Sequence, residues 1–186
     1  MKTFKIKNLP LEGLKLVTNH KIEDGRGFLS RIFCIDELPD FALSKPITQI
    51  NHTFTKKKGS IRGFHYQESP YSEIKLVNCI KGRILDIAVD IRPDSKTYLK
   101  YFSVELSYET NDALLIPEGF AHGFQSLSDD VEMLYFHSVS YNKKYERGIN
   151  PFDKAIGVDW PLEVSKISQR DSSHPNINKS FKGVIL

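Results

Sequence analysis

The chain has 186 residues, 40% of them hydrophobic and 26% charged, enough for one domain with a substantial core. Its 26 basic and 23 acidic residues leave a net charge of +3, too balanced to argue for nucleic acid but compatible with a local basic pocket for an anionic small molecule. No apolar run approaches a membrane span, MKTFKIKNLPLEGLKL lacks a signal-peptide core, and Cys34 and Cys79 show no CxxC spacing, so a cytoplasmic protein with free thiols and no membrane partner is expected.

The elements that follow are strands punctuated by Gly, Pro, Asn and Asp. LKLVTNHKI (14–22) predicts a strand that ends in the turn EDGRG, and FLSRIFC (28–34) predicts the next. CIDELPDFAL (34–43) carries a turn or two of helix. TQINHTF (48–54) leads through TKKKGS, read as a solvated hairpin turn, to IRGFHYQ (61–67). IKLVNCIKGRILDIAVDIR (74–92) predicts two strands around a turn at Lys81 and Gly82. YLKYFSVELS (98–107), ALLIPEGFAHGFQSL (113–127) and VEMLYFHSVSY (131–141) continue the pattern, and FDKAIG (152–157) predicts a second short helix. The stretch from Trp160 onward has little periodicity and is expected to pack on the outside or close one end. Many short strands at regular spacing predict an all-β barrel or sandwich, with residues 1–186 as a single domain.

The segment GSIRGFHYQESPYSEIK (59–75) gathers chemistry into a strand and its turn. Strict alternation puts Arg62, Phe64 and Tyr66 on one face and Gly63, His65 and Gln67 on the other. If the His65 face is the inner face of a barrel, polar groups point into a cavity. For Arg62 and His65 to serve one site, the strand needs a bulge at Gly63 or a ligand at its edge.

Gly59, His65 and Gln67 resemble the first motif of the cupins, and Pro117, Gly119 and His122 in IPEGFAHGF resemble the second. Metal-binding cupins take two His and a carboxylate from the first motif and one His from the second. Gln67 stands in place of one of these His, and Glu73 is the remaining carboxylate candidate. No metal is therefore expected, and His65 is read as an acid or base, since imidazole titrates near neutral pH.

IRGFHYQ, KLVNCIKGRILDIAVDIRPDSKT, IPEGFAHGF, EMLYFHSVSYNKKYERGI, AIGVDWP and ISQRD occur in that order between about Leu16 and Pro175. Together they resemble the dTDP-4-dehydrorhamnose 3,5-epimerase family. The resemblance implies a cupin jelly roll, a homodimer with exchanged N-terminal strands, and no cofactor or metal. The implied substrate is a nucleotide-diphosphate 4-keto-6-deoxyhexose, and the implied reaction converts dTDP-4-dehydro-6-deoxy-D-glucose to dTDP-4-dehydro-L-rhamnose by inversion at C3 and C5. It makes His65 the base, Asp171 the carboxylate that orients it, Lys75 the partner of the enolate oxygen and Tyr141 the opposing proton donor, with Tyr135 and Tyr145 as rivals. Arg26, Arg62 and Arg170 match positions around the diphosphate, Phe28, Gln49 and Asn51 match nucleotide contacts, and His122 belongs to the pocket. Arg31 replaces a usual Glu, and Asn78 a usual Arg. These two departures keep open a CDP-linked or other nucleotide sugar and inversion at one carbon only. A non-catalytic sugar-nucleotide-binding cupin is the reading from a different class.

Overall fold

Where apolar and polar residues alternate, the chain forms strands, and where both faces are apolar the strand is covered on both sides. A computed structural model of the protein describes residues 4–43 and 45–186, without the side chains of 42 and 43. The strands are β1 (Phe4–Asn8), β2 (Lys15–Asn19), β3 (Lys21–Asp24), β4 (Gly27–Ser30), β5 (Gln49–Thr55), β6 (Ser60–Gln67) and β7 (Lys75–Lys81). They continue with β8 (Arg83–Asp90), β9 (Tyr101–Ser107), β10 (Asp112–Ile116), β11 (Phe120–Ser126), β12 (Val131–His137), β13 (Glu146–Gly148) and β14 (Lys166–Ile167). Two short helices, α1 (Pro39–Leu43) and α2 (Gln169–Ser172), complete the elements.

One six-stranded sheet runs β1-β2-β10-β7-β12-β5, the facing sheet runs β13-β6-β11-β8-β9, and β14 adds to the free edge of β6. This is the all-β architecture that the strand pattern predicts, arranged as the jelly roll that the family resemblance implies. β3 and β4 form a separate hairpin. The core between the sheets takes Val77, Leu114 and Met133 from the first sheet and Ile84, Ala88 and Phe124 from the second. The odd positions of β8, Ile87 and Val89, point outward and are covered by Trp160, Phe181 and Val184 of the C-terminal segment. Leu38 and Phe41 around α1 cover the outer face of the first sheet against Val17 and Leu115. Among the described residues no helix is long and apolar enough to cross a membrane, and Cys34 and Cys79 are both unpaired.

Three sequence expectations are corrected. LKLVTNHKI divides at His20 into β2, which joins the six-stranded sheet, and β3, which leaves it for the hairpin. FLSRIFC is strand only as far as Ser30. FDKAIG forms turns, because the Asp153 carboxylate accepts from the backbone N–H of Ala155 (2.7 Å) and of Ile177, and this local bonding competes with helix.

The bulge needed in β6 is present. His122 pairs with His65 but Phe124 pairs with Arg62, so β6 carries one extra residue between those two pairs. The insertion turns Arg62 toward the face that His65 uses. Gly63 sits at φ +121, and a Cβ there would lie 2.5 Å from Gly123 Cα, so backbone packs directly on backbone. We expect Gly63→Ala to cost about 2–4 kcal/mol in chemical denaturation, because the new Cβ can escape only by moving β11.

Asp90 closes the other end of the second sheet. Its carboxylate accepts from Arg92 Nε (2.8 Å) and NH2 (2.7 Å), Ser95 Oγ (2.5 Å) and Thr97 Oγ1 (2.6 Å), which shapes the DIRPDSKT loop. Burial alone would raise this carboxyl; the Arg92, Ser95 and Thr97 donors outweigh it and hold the group below the usual range. Its stabilisation is therefore present above the unfolded carboxyl value of about 4 and is lost as pH falls through the lower folded value. Asp90→Asn is expected to cost about 2–3 kcal/mol at neutral pH and to flatten the pH dependence of unfolding below about pH 4.

Candidate active site

The free edge of β6 shows how the chain builds a site. β14 pairs with Ser60 and Ile61 at the start of β6, and β13 pairs with His65, Tyr66 and Gln67 at its end. Between them the bulge leaves the Gly63 N–H outside the ladder. Asp171 fills the gap: its Oδ2 accepts from that N–H (3.2 Å) and its Oδ1 lies 2.8 Å from His65 Nε2. α2 delivers the carboxylate, capped by Ser168 Oγ, which accepts from the Asp171 N–H at 3.0 Å. Burial alone would raise the Asp171 carboxyl; the bonds from His65, Gly63 and Ser168 outweigh it and hold the group below its ordinary range. An ionised Asp171 fixes His65 with its proton on Nε2 and leaves Nδ1 as the basic nitrogen.

His122 stands beside His65 in register, 2.6 Å through Nε2 from the buried Asp86. On the opposite sheet, Lys75 and His137 are paired across β7 and β12 and share Glu73: Nζ lies 3.2 Å from Oε1, and His137 Nδ1 lies 2.8 Å from Oε2. Burial would raise the Glu73 carboxyl, but Lys75 and His137 together pull it below the usual range. The wall continues through Asn51 Nδ2 to His137 Nε2 (3.3 Å) and Gln49 Nε2 to Asn51 Oδ1 (3.1 Å). Tyr135 alternates with His137 on β12 and meets the His122 ring edge-on at 5.9 Å between centroids. Its hydroxyl lies 3.4 Å from the Met133 thioether, a weak acceptor, and beside the Thr53 hydroxyl; burial pushes the phenol far up, with the Thr53 bond opposing in part.

The two walls enclose a cavity of about 970 Å³. All the expected site residues line it except Arg26 and Phe28: His65, Lys75, Tyr141 and Asp171, with Gln49, Asn51, Arg62, His122 and Arg170. Arg26 and Phe28 lie on the β3–β4 hairpin, where the Arg26 side chain is 90% exposed and pairs with Asp24, and Phe28 packs on Tyr108. Arg31, bonded to Glu37, and the buried Asn78 also lie outside the cavity lining.

Tyr141 stands at the rim, 51% exposed. Its hydroxyl donates to Glu146 Oε2 (2.8 Å), and the other oxygen of Glu146 is taken by Arg170. Hydrogen bonding to that carboxylate raises the Tyr141 phenol. Gln67 Oε1 accepts from the Asn142 N–H (2.7 Å), so the residue that replaces the cupin His fastens the Tyr141 loop. Tyr145 stacks on Tyr71 and is not a lining residue.

His137, Glu146 and His174 were not singled out from sequence. His137 was within reach of the period-two pattern that places Tyr135, whereas His174 sits in a segment without periodicity. Among the described residues one group of metal-capable side chains comes together, His65, Asp171 and His174, with donor atoms within 4.8 Å of one another. Two of its three donors are already joined by the 2.8 Å hydrogen bond, so the arrangement is that of an oriented base.

A family profile described as dTDP-4-dehydrorhamnose 3,5-epimerase matches residues 8–179. A relative of that name from Sinorhizobium fredii is 36% identical over 171 residues, covering 91% of this chain and 88% of the relative. The solved structure of a dTDP-6-deoxy-D-glucose-3,5-epimerase from Legionella pneumophila, in complex with dTDP-4-keto-L-rhamnose, is 33% identical with a TM-score of 0.86, covering 92% of this chain and 91% of that one. Another is a double mutant, His to Asn and Tyr to Phe, of a 3'-monoepimerase from Streptomyces bikiniensis in complex with dTDP; it is 29% identical with a TM-score of 0.84, covering 91% of this chain and 85% of that one. By its profile match, its relatives and its fold, the chain belongs to the dTDP-4-dehydrorhamnose 3,5-epimerase family.

Proposed function

We propose that the protein is an isomerase that inverts C3 and C5 of dTDP-4-dehydro-6-deoxy-D-glucose, giving dTDP-4-dehydro-L-rhamnose by proton removal and return next to the C4 ketone. The observation that carries this reading is the pairing of an oriented base on one wall with an ammonium and an uncommitted phenol on the other. Family membership supports the substrate class, and the cavity lies within the usual range of roughly 300–1,000 Å³ for a small-molecule site.

His65 Nδ1 takes the proton from the carbon next to the ketone, the C–H electron pair forms a double bond to C4, and the carbonyl π pair moves onto the C4 oxygen as an enolate. Asp171 stabilises the imidazolium that results, as the aspartate of a serine-protease triad does. Lys75, itself buried, meets the developing oxyanion, and a fixed positive group out of bulk water is worth more there than in solvent. A proton delivered to the opposite face of the carbon then completes the inversion.

Tyr135 fits the donor role better than Tyr141. It belongs to the wall facing His65 and its partners are the Met133 thioether and the Thr53 hydroxyl, both neutral, whereas the Tyr141 proton is committed to the Glu146 carboxylate on β13, beside β6. The His and Tyr replaced in the Streptomyces bikiniensis double mutant are also as far apart in sequence as His65 and Tyr135. Tyr141 instead closes the rim. Arg62 and Arg170 at the mouth suit a diphosphate, because a guanidinium fork can bond two phosphate oxygens at once. The exposed hairpin, with Ile22 at 65% and Leu29 at 70%, supports a homodimer in which Arg26 and Phe28 serve the neighbouring cavity. The unpaired thiols favour a reducing, cytoplasmic setting.

Incubation with dTDP-4-keto-6-deoxyglucose in deuterated water, followed by NMR, should show deuterium entering at both C3 and C5. Exchange at C3 alone would assign the monoepimerase activity named for the Streptomyces bikiniensis relative. His65→Asn is expected to lower the rate by at least about a thousandfold while dTDP still binds. Tyr135→Phe should retain deuterium wash-in through His65 yet lower product formation by roughly 10²–10³-fold. Tyr141→Phe should cost less than about tenfold, and the reverse ranking would return the donor role to Tyr141.

A further inference from the structure

His174 lies behind the base and has no part in the mechanism above. Its ring meets the His65 ring edge-on, with centroids 5.5 Å apart and planes at 80°. Its Nε2 is buried without a hydrogen-bond partner among the described residues and stands 3.8 Å from Asp171 Oδ1, the same oxygen that His65 uses. The position is built. Asn150 holds the segment through its N–H to the Pro175 carbonyl (3.0 Å) and its side-chain amide to the Ser172 carbonyl (3.2 Å). Gly148, paired with His65 across β13 and β6, leaves the room, since a Cβ there would lie 2.3 Å from His174 Nε2.

We propose that His174 is a positioning residue for the His65–Asp171 pair: its Nε2–H shares the Asp171 carboxylate with His65, holding that carboxylate against the base and tempering its pull on the proton of the base. The inference rests on the epimerase reading above. A lone pair on Nε2 would face a carboxylate oxygen, so the tautomer with the proton on Nε2 is the one the site favours. A small rotation of the ring then turns a 3.8 Å approach into a hydrogen bond.

The charged and titratable groups around His174 are His65 on β6, Asp171 and Arg170 on α2 and Glu146 on β13. Burial lowers the His174 imidazole, His65 and Arg170 lower it further, and Asp171 and Glu146 oppose them in part. The ring is thus kept neutral, as a donor that adds no second positive charge beside the imidazolium formed in catalysis. Removing the donor makes Asp171 the stronger partner of a protonated His65, so the base becomes blocked by solvent protons at a higher pH.

The test is the pH profile of steady-state turnover of dTDP-4-keto-6-deoxyglucose for the wild type, His174→Leu and His174→Gln, with dTDP binding as the check of folding. The leucine variant should lose about tenfold in kcat, keep KM within about twofold, and shift the acidic limb of kcat/KM upward by roughly half a pH unit or more. The glutamine variant, whose amide N–H falls near the position of His174 Nε2, should regain most of the rate and the limb. If the leucine variant does not bind dTDP, His174→Asn, whose amide stops short of Oδ1, takes its place in the comparison. A leucine variant that matches the wild type overturns the proposal, as does a loss of rate with an unmoved limb or with no recovery in glutamine. A wild type that binds dTDP but neither turns over nor exchanges deuterium overturns the epimerase reading itself.

Discussion

The bond from the Gly63 N–H to Asp171 is the interaction on which the site depends, because it joins a fault in one strand to a distant carboxylate. An uninterrupted β6 would have offered that N–H to a neighbouring strand and would have turned Arg62 away from the cavity. The bulge does both jobs with one inserted residue. It exists because Gly63 and Gly123 lack side chains where the two backbones touch. The same carboxylate oxygen pair then holds the strand with one atom and the base with the other.

The two walls divide the electrostatic work. On the β6 side, histidines are paired with carboxylates, which keeps each ring oriented and leaves the second nitrogen of His65 outside the pair. On the β12 side, Lys75, Glu73, His137, Asn51 and Gln49 form a continuous chain of donors and acceptors. Burying the Lys75 ammonium alone would be costly, and Glu73 offsets that cost while leaving the other ammonium protons available. Tyr135 is the exception on this wall, because its hydroxyl meets neutral partners, the Met133 thioether and the Thr53 hydroxyl, and no carboxylate among the described residues.

Much of this was legible in the sequence because period-two alternation reports directly on strand faces. The strands and the need for a bulge near Gly63 follow from it, the turn at Lys81 and Gly82 follows from the glycine, and the expected site residues away from β6 come from the family resemblance. Other features follow from tertiary choices that alternation does not encode. LKLVTNHKI reads as one strand, and only its neighbours determine that β2 pairs with β10 while β3 turns into a hairpin. FDKAIG has helix-compatible residues, but the Asp153 carboxylate finds closer donors in a turn. The choice between Tyr135 and Tyr141 depends on what each hydroxyl bonds to, which spacing cannot show. His174 had no signal at all, since its place is set by Asn150 and Gly148 from other parts of the chain.

His65 and Asp171 are 106 positions apart, and nearly the whole of the second sheet lies between them. Closing a loop of that length costs entropy that only the intervening packing can repay, so the carboxylate docks onto β6 after the strands have assembled. A partly folded chain can therefore have its barrel strands in register and still lack an oriented base. Catalytic competence in this architecture is a property of the finished topology, so regained turnover during refolding reports the closing of a long loop and not the first collapse.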